Sequence, residues 1–355
     1  MRRLSEAPRR VGDPPHGDFV RFIKGAKNEE GTLVVRIYSL EEIKRAIDPV
    51  HLIQCQEEGF IAYSEGQVVV PPPGSLFFED PPGDCHIKFG YLIDDVYYVI
   101  KIASGFYRNP DLGLPSSNGM MLVFERKTGV PAAVLLDEGY LTDMRTAAAG
   151  AIAAKYLAPR PITRIGIVGT GTQARLQPQL LREVTPCREL VVWGRNTARA
   201  EAFKRDVEPL GFAVEVAARI QDLCAACNLI VTTTPSRSPL IGPRQVRPGT
   251  HITAVGADGG GKQELDAELF KKASVFVVDS RRQCRELGDS SYALKAGFVK
   301  EDQLVELGTL IRKPELGRTS ADQITICDLT GVAVQDIQIA KLAMAGCVGR
   351  AEIQL

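Results

Sequence analysis

The stretch Arg164-Ile-Gly-Ile-Val-Gly-Thr-Gly-Thr-Gln-Ala-Arg175 decides the fold of this chain. Its apolar residues 165–168 predict a short buried strand, and residues 175–181 continue at helical spacing. Between them, Gly169 permits a tight turn and Gly171 lets the backbone approach a pyrophosphate. The order of strand, glycine turn and helix therefore predicts a dinucleotide site.

The residues after the turn extend this predicted site. The N-terminus of the helix that follows offers free N–H groups and a positive dipole to the phosphates, and the small Ala174 permits close packing on the strand. A second strand, Glu189 to Trp193, follows at the distance that a strand-helix-strand unit requires. A glycine triplet alone can mark no more than a tight turn. The context on both sides indicates an α/β protein with a Rossmann-type doubly wound parallel sheet.

The end of the second strand indicates the cofactor. An NAD site usually places Asp or Glu about 20 residues past the glycines, whereas an NADP site places Arg near the 2′-phosphate. This chain has Gly194-Arg195-Asn196 there, with Arg199 next and no acid before Glu201. We therefore favour NADP(H), with Arg195 as the phosphate ligand. The alternative is NAD(H) binding without the acid, with Arg195 as a solvated loop residue.

The composition excludes several classes of protein. The 355 residues are 45% apolar and 24% charged, which is ordinary for a globular chain large enough for two domains. The 43 basic and 43 acidic residues give a net charge of zero, so charge provides no reason to expect nucleic acid or an anionic membrane as partner. No apolar run approaches the roughly 18 residues of a membrane span, and we find no apolar signal region. The sequence therefore predicts a cytoplasmic protein.

The eight cysteines are scattered along the chain, and several lie in apolar runs. The chain is too large to need disulfides, so we expect reduced cytosolic thiols. Cys224-Ala-Ala-Cys227 has the spacing of a redox or metal motif. Because it has no second pair and ends a predicted helix, buried thiols are the favoured interpretation, and no metal site is predicted.

A predicted hairpin contains the first candidate substrate residues. With Asp94-Asp95 as a two-residue turn, Lys88 and Lys101 lie directly opposite each other on neighbouring strands. Two ammonium groups in this position repel, which is tolerable if both point to water or if an anion lies between them. The second alternative predicts a carboxylate clamp. The opposite face of the hairpin is an apolar set that we expect to face the core: Ile87, Phe89, Tyr91, Tyr98, Ile100 and Ile102.

Further candidates lie at the ends of predicted strands and helices. Arg145 and Thr146, near the start of a helix, are either phosphate ligands or helix surface. Thr233 and Thr234 end a strand and border the predicted cofactor site. Asp258 follows another strand in a glycine loop, where open α/β sheets place ligands. It is either a turn residue or a general acid/base beside the nicotinamide.

The N-terminal residues 1 to about 18 are rich in Arg and Pro, and we expect residues 1–32 to form a flexible tail. After it, a strand begins near Val34, and Ser39 caps a helix with Glu42 at the capping-box spacing. A second helix follows, and residues 71–82 are expected to form a loop.

Five motifs occur in this order: Lys101, Arg145-Thr-Ala-Ala148, Gly169-Thr-Gly-Thr-Gln-Ala174, Gly256-Ala-Asp258 and Asp328-Leu-Thr-Gly331. Together they resemble the ornithine cyclodeaminase/μ-crystallin family, and the resemblance extends from Leu33 to Ala343. Three further stretches are most similar to the branch associated with ectoine utilisation: 113–119, 137–145 and 317–325.

The resemblance implies a homodimer with a Rossmann domain, residues 159–325, and a discontinuous α+β dimerisation and substrate domain, residues 33–158 and 326–355. In such a protein Arg145 and Thr146 bind the cofactor phosphates. The expected catalytic residues are Asp258, as the catalytic acid, and Lys101, which binds the substrate carboxylate. The expected substrate ligands are Lys88, Lys101 and Asn118. The expected cofactor ligands are Arg145, Thr146, Gly169, Gly171, Thr172, Gln173, Ala174, Arg195, Thr233, Thr234, Val255, Gly256, Thr330 and Gly331.

Two departures from the family pattern concern the substrate. Ornithine-using members carry an arginine before the hairpin and a glutamate at the position of Lys88, whereas this chain has Pro72-Pro73-Gly74 and lysine. Lysine disfavours a second amine, because like charges cost several kcal/mol in a desolvated site, and it suits a second carboxylate or a less cationic imine. Iminosuccinate reductase members of the family have a similar lysine pair.

We therefore favour an NAD(P)-dependent imine reductase or amino-acid dehydrogenase that acts on a small imino or amino acid. One alternative is a redox-neutral cyclodeaminase of the ornithine type with bound NAD. The other is a non-catalytic nucleotide-binding protein, as crystallin relatives can be, although the presence of Asp258 argues against it.

Overall fold

The computed structural model describes residues 34–106, 108–347 and 351–354, and the predicted tail 1–32 lies outside them. Within the described ranges, two sheets of eight strands organise the chain. The first part of the chain contains β1 (Val34–Tyr38), α1 (Leu40–Ala46), α2 (Pro49–Ser64), β2 (Val68–Val69), β3 (Gly74–Glu79), β4 (Pro82–Leu92), β5 (Tyr97–Phe106), β6 (Ser117–Glu125), β7 (Pro131–Leu135) and α3 (Tyr140–Leu157).

The second part of the chain alternates strands and helices. It contains β8 (Ile165–Val168), α4 (Thr172–Leu181), β9 (Glu189–Trp193), α5 (Thr197–Val207), β10 (Ala213–Val216), α6 (Ile220–Ala226), β11 (Leu229–Thr232), β12 (Arg237–Ile241), β13 (His251–Ala254), β14 (Gln263–Leu265), β15 (Val275–Val278), α7 (Arg281–Cys284), α8 (Gly288–Lys295), β16 (Leu304–Glu306), α9 (Leu307–Arg312) and β17 (Thr325–Asp328). The helix α10 (Ala333–Gly346) and the strand β18 (Ala351–Gln354) follow.

The second sheet is parallel and has the order β10-β9-β8-β11-β13-β17-β15-β16. The strand order reverses between β8 and β11, which is the switch point where doubly wound sheets leave a crevice for a ligand. The predicted Rossmann-type sheet is confirmed. Its central strands β8, β11, β13 and β17 are buried along their whole length, as expected when helices cover both faces.

The first sheet has the order β18-β1-β7-β6-β5-β4-β2, with β3 paired to β4. In the hairpin of β4 and β5, Lys88 is paired with Lys101, as the turn position predicted. The prediction for the two faces was wrong. Tyr97 and Val99, which alternate with Lys101, are 1% exposed and lie towards α10, whereas Phe89 on the opposite face is 36% exposed.

Two other expectations about the chain are corrected by the structure. Residues 74–79, expected in a loop, form β3, an exposed strand that pairs only with β4 among the described strands. The strand β17 pairs with β13 in the second sheet, so the chain returns to the first sheet after residue 328 rather than at 326. The helix after this strand, α10, packs on α2, β4 and β5, and β18 pairs with β1.

The alanine-rich helix α3 lies in the core between the two parts of the chain. It contacts α2, α4, α10 and the strands β13 and β17. At Gly150, a Cβ atom would lie 2.1 Å from Oε1 of Gln177, so glycine there leaves room for the Gln177 side chain between α3 and α4. Among the described helices, none has the length and apolar composition needed to cross a bilayer.

Candidate active site

Four strand ends of the second sheet bring the predicted cofactor residues together. The loop after β11 lies against the end of β8, because Thr233 donates its N–H (2.9 Å) and its hydroxyl (3.1 Å) to the Val168 carbonyl. Val255 donates to the Thr232 carbonyl (3.0 Å), and Leu329, beside Thr330, donates to that of Ala254 (2.9 Å). The turns after β8, β11, β13 and β17 thus form one edge at the switch point.

The glycine turn after β8 has the shape that a bound nucleotide requires. Gly169 has φ +123°, and a Cβ atom there would lie 2.5 Å from the Thr233 hydroxyl, so no side chain fits. Gly171 is the N-cap of α4 without a side-chain cap, and a Cβ atom there would meet nothing within 4 Å. The first N–H groups of α4, beginning at the exposed Thr172, therefore face an open cradle, as phosphate binding at a helix N-terminus requires.

Three further predicted cofactor residues, Gln173, Ala174 and Arg195, have different surroundings. Ala174 is fully buried, in keeping with its role in helix packing. Gln173 donates its side-chain amide to the backbone carbonyl (3.0 Å) and carboxylate (3.2 Å) of Asp143, which joins α4 to α3. Arg195 is exposed just after β9, and Asn196 caps the next helix by accepting the Arg199 N–H at 3.0 Å.

The two hairpin lysines point into the protein rather than into water. Lys101 is 3% exposed, and its Nζ lies 3.9 Å from Oδ2 of Asp336 on α10. Lys88 donates to the Gly331 carbonyl at 2.7 Å. Burial, followed by the charges of Lys101 and Arg145, lowers the pKa of Lys88 to about 8. Burial also lowers the pKa of Lys101, against the attraction of Asp336. The interpretation of the pair as a solvated face is therefore wrong.

Arg145 adds a third cation to this cluster. Its Nε lies 3.1 Å from Oδ1 of Asp336, and it also donates to the Gln335 side chain at 3.4 Å. In return, Gln335 donates to the Arg145 carbonyl at 3.2 Å. The neighbouring Thr146 donates its hydroxyl to the Thr142 carbonyl at 2.8 Å. The contacts of Arg145 thus place it beside the lysines, and its predicted role at the phosphates stays a prediction.

Two buried acids accompany the three cations. Among the described residues, Oδ2 of Asp336 and Oδ1 of Asp137 are buried without a hydrogen-bond partner. Burial raises the pKa of Asp137 to about 6, although its other oxygen accepts the Leu141 N–H at 2.9 Å. Sequence reasoning assigned no role to either residue. The only sequence signal for Asp336 is an acid in the first turn of the apolar helix α10.

The loop after β13 places Asp258 at the mouth of this cluster. Its side chain is 56% exposed and accepts a hydrogen bond from Lys262 at 2.7 Å. Its negative charge raises the pKa of both Lys88 and Lys101, opposing the effect of burial. Asp258 is thus close enough to act electrostatically on both lysines while retaining access to solvent, and its role as the catalytic acid stays a prediction.

The prediction for Asn118 has no support from the contacts of this cluster. On β6, Met121 is paired with Lys101 and is fully buried, whereas Met120 is 38% exposed on the other face. Because alternate residues of a strand share a face, Asn118 lies on the face of Met120. Its side chain accepts the Gly119 N–H at 2.7 Å. We find no contact between Asn118 and the lysines in the described structure.

Thr330 and Gly331 are held by an acid that the sequence did not indicate. Asp279, at the end of β15, accepts the N–H groups of Thr330 (2.8 Å) and Gly331 (2.6 Å) and the Thr330 hydroxyl (2.9 Å). The Gly331 carbonyl in turn accepts the bond from Lys88. Among the described residues, no group of three or more His, Cys, Asp or Glu side chains is arranged to hold a metal ion. Cys224 and Cys227 are fully buried free thiols, as expected.

The strand ends and the open glycine turn define a Rossmann-type protein that binds a nucleotide cofactor. The chain belongs to the ornithine cyclodeaminase/mu-crystallin family, whose model matches residues 34–348. The family predicted from the motifs is therefore confirmed.

Similar proteins include reductases, dehydrogenases and cyclodeaminases. An uncharacterized cyclodeaminase of Sinorhizobium fredii is 40% identical over 304 residues, which are 84% of this chain and 92% of that protein. An archaeal alanine dehydrogenase dimer with bound NAD has a TM-score of 0.83 and 35% identity, covering 91% of this chain and 100% of that one. The Δ1-pyrroline-2-carboxylate reductase of Thermococcus litoralis, in complex with NADH and L-proline, has a TM-score of 0.82 and 29% identity, covering 88% and 97%.

Proposed function

We propose that this protein is an NAD(P)-dependent oxidoreductase that acts at the C–N bond of a small imino or amino acid. The observation that carries the proposal is the inward-facing pair of Lys88 and Lys101, with Arg145 beside it and Asp258 at the mouth. Burial disfavours the charged form of both lysines, so an anion between them would relieve their repulsion. The carboxylate of an imino or amino acid is such an anion.

The roles of the chain's residues follow from this placement. Lys101 and Lys88 bind the substrate carboxylate, while Asp336 holds Lys101 and Arg145 in position. The open cradle at the start of α4 binds the cofactor phosphates. When bound, a nicotinamide cofactor supplies or accepts hydride at the carbon of the C–N bond. Asp258, at the solvent-accessible mouth, exchanges the proton of the nitrogen.

For the cofactor, we favour NADP(H) with NAD(H) as the alternative. The exposed Arg195 directly follows Gly194 after β9, and no acid stands between it and Arg199. A guanidinium at this place suits a 2′-phosphate, because Arg binds phosphate with two parallel hydrogen bonds. The NAD and NADH bound in the two solved relatives support the alternative.

We also propose that the chain forms a homodimer in the cytoplasm. The outer face of the first sheet and the edge strand β3 expose large apolar side chains, among them Leu76, Phe77, Phe89 and Met120. Exposed apolar patches of this kind mark interaction sites, and the archaeal relative is a dimer. The eight free cysteines agree with a reducing compartment.

The test is nicotinamide absorbance with NADPH and with NADH as separate cofactors. The acceptors are Δ1-pyrroline-2-carboxylate, and pyruvate, oxaloacetate and 2-oxoglutarate with ammonia. Net oxidation of a reduced cofactor with one imine is the expected result. If ornithine releases ammonia without net cofactor oxidation, and every imine fails, the cyclodeaminase suggested by the Sinorhizobium relative replaces this proposal.

A further inference from the structure

Glu264 is a buried acid that joins the two loops bordering the proposed nicotinamide site. It lies on the short strand β14 and has no exposed surface. Its carboxylate accepts four hydrogen bonds, from Thr234 N (2.6 Å), Thr234 Oγ1 (2.7 Å), Thr232 Oγ1 (2.8 Å) and Gly256 N (2.8 Å). A carboxylate has about four acceptor sites, so these donors saturate it.

The hydrogen-bond donors show which segments Glu264 joins. Thr234 belongs to the loop after β11, and Gly256 belongs to the loop after β13 that carries Asp258. These loops touch each other, because a Cβ atom on Gly256 would lie 2.2 Å from the Thr234 carbonyl oxygen. The bond from Gly256 N to Glu264 also spans the whole loop 256–264. One carboxylate thus closes the loop that presents Asp258.

A second buried acid, Asp289, binds the backbone of Glu264. Asp289 on α8 is fully buried and accepts the N–H groups of Glu264 and Leu265, both at 2.8 Å. Burial raises the pKa of Glu264 to about 7, while its four donors favour the charged form. The backbone of Glu264 is therefore anchored, and its side chain cannot move away without leaving buried donors unpaired, which is strongly unfavourable.

We propose that Glu264 is a positioning residue, which fixes Asp258 and the Thr234 peptide relative to the nicotinamide and the substrate nitrogen. This inference rests on the proposed function, in which Asp258 exchanges the proton. Misplacement of a reacting group by about 1 Å lowers turnover by about 100-fold. Loss of the carboxylate should therefore lower kcat far more than it weakens nucleotide binding.

The experiment compares Glu264→Gln with two threonine variants of the full-length protein. Thr234→Val and Thr232→Val each remove one hydroxyl donor to the same carboxylate, at 2.7 Å and 2.8 Å. Thr234 lies in the loop, whereas Thr232 is the last residue of β11. Comparing the two variants therefore distinguishes an effect on the position of the loop from an effect on the stability of the protein. The measurements are kcat and KM for the imine, the Kd of NADPH, the melting temperature, and amide hydrogen exchange of residues 255–262.

We expect Glu264→Gln to lower kcat by about 100-fold, to change the Kd of NADPH much less, and to speed exchange in 255–262. Thr234→Val should lower kcat in the same direction, and Thr232→Val should lower only the melting temperature. Equal losses of kcat in the two threonine variants, or normal exchange and kcat in Glu264→Gln, would overturn the inference. If Glu264→Gln does not fold, the two threonine variants decide. If the wild type reduces no imine, the proposed function fails, and the exchange data still show whether Glu264 closes the loop.

Discussion

The replacement of Lys88 by methionine tests the carboxylate clamp, because it should raise stability and weaken substrate binding at the same time. Burial and neighbouring cations lower the pKa of Lys88 from 10.5 to about 8. A shift of this size corresponds to about 3 kcal/mol against the charged form in the folded protein. Because the side chain is partly exposed, we expect methionine to stabilise the substrate-free protein by about 1–2 kcal/mol at pH 7.

We expect the same replacement to weaken substrate binding. A hydrogen bond to a charged group contributes about 1.5–3 kcal/mol, so KM for the imine should rise about 10- to 100-fold. The Gly331 carbonyl, which loses the Lys88 bond, keeps its bond from Gln283 at 3.1 Å. The variant therefore leaves no orphaned acceptor that would lower stability.

Urea unfolding and steady-state kinetics measure the two effects, with Lys127→Met as the matched control. Lys127 is exposed between β6 and β7, and its replacement should change neither quantity.

The pH dependence has a definite sign. Between pH 8 and 10.5 the unfolded chain binds a proton at Lys88 that the folded protein does not, so wild-type stability rises with pH and the advantage of methionine shrinks. Lower stability with an unchanged KM would refute the clamp and leave Lys88 as a structural strap to Gly331.

Three further substitutions test the proposed cofactor site and the proposed catalytic acid. Gly169→Ala should abolish NADPH binding in fluorescence titrations, because its Cβ would clash with Thr233 Oγ1 at 2.5 Å; near-normal affinity would contradict the geometry of the turn. Arg195→Glu should weaken NADPH about 10-fold relative to NADH, in line with about 1.5–3 kcal/mol for a charged hydrogen bond, and an unchanged cofactor ratio would remove Arg195 as the phosphate ligand. Asp258→Asn should lower kcat by about 100-fold or more with normal NADPH affinity; turnover equal to wild type would mean that another group exchanges the proton.

The parts of the fold that are predictable from sequence depend on local signals. The glycines around Gly169 are required by backbone geometry within a few residues, and the observed φ of +123° follows directly. The capping box of Ser39 and Glu42 is likewise a contact three residues apart, and the structure confirms it. The pairing of Lys88 with Lys101 was predictable because a tight turn fixes the register of both strands.

Local signals could not predict which face of that hairpin is buried. Hydrophobic patterning assumes that the more apolar face is buried. Here the apolar residues, such as Phe89, lie on the exposed face, while the lysines point inward. The reason is long-range, because Asp336 and Arg145 lie 191 residues apart in the chain and meet beside Lys101. The only sequence signal for Asp336, an acid in the first turn of an apolar helix, does not indicate which distant residues it meets.

Asp279, an acid that the sequence did not indicate, helps to connect the two sheets at one site. Asp279 at the end of β15 fixes the Thr330–Gly331 turn, and the Gly331 carbonyl holds Lys88 of the first sheet. The proposed carboxylate site is thus tied by direct hydrogen bonds to the strand ends where the cofactor is expected. Hydride transfer demands a fixed distance between substrate and nicotinamide. The hydrogen bonds that join the two sheets would fix this distance, which neither sheet can do alone.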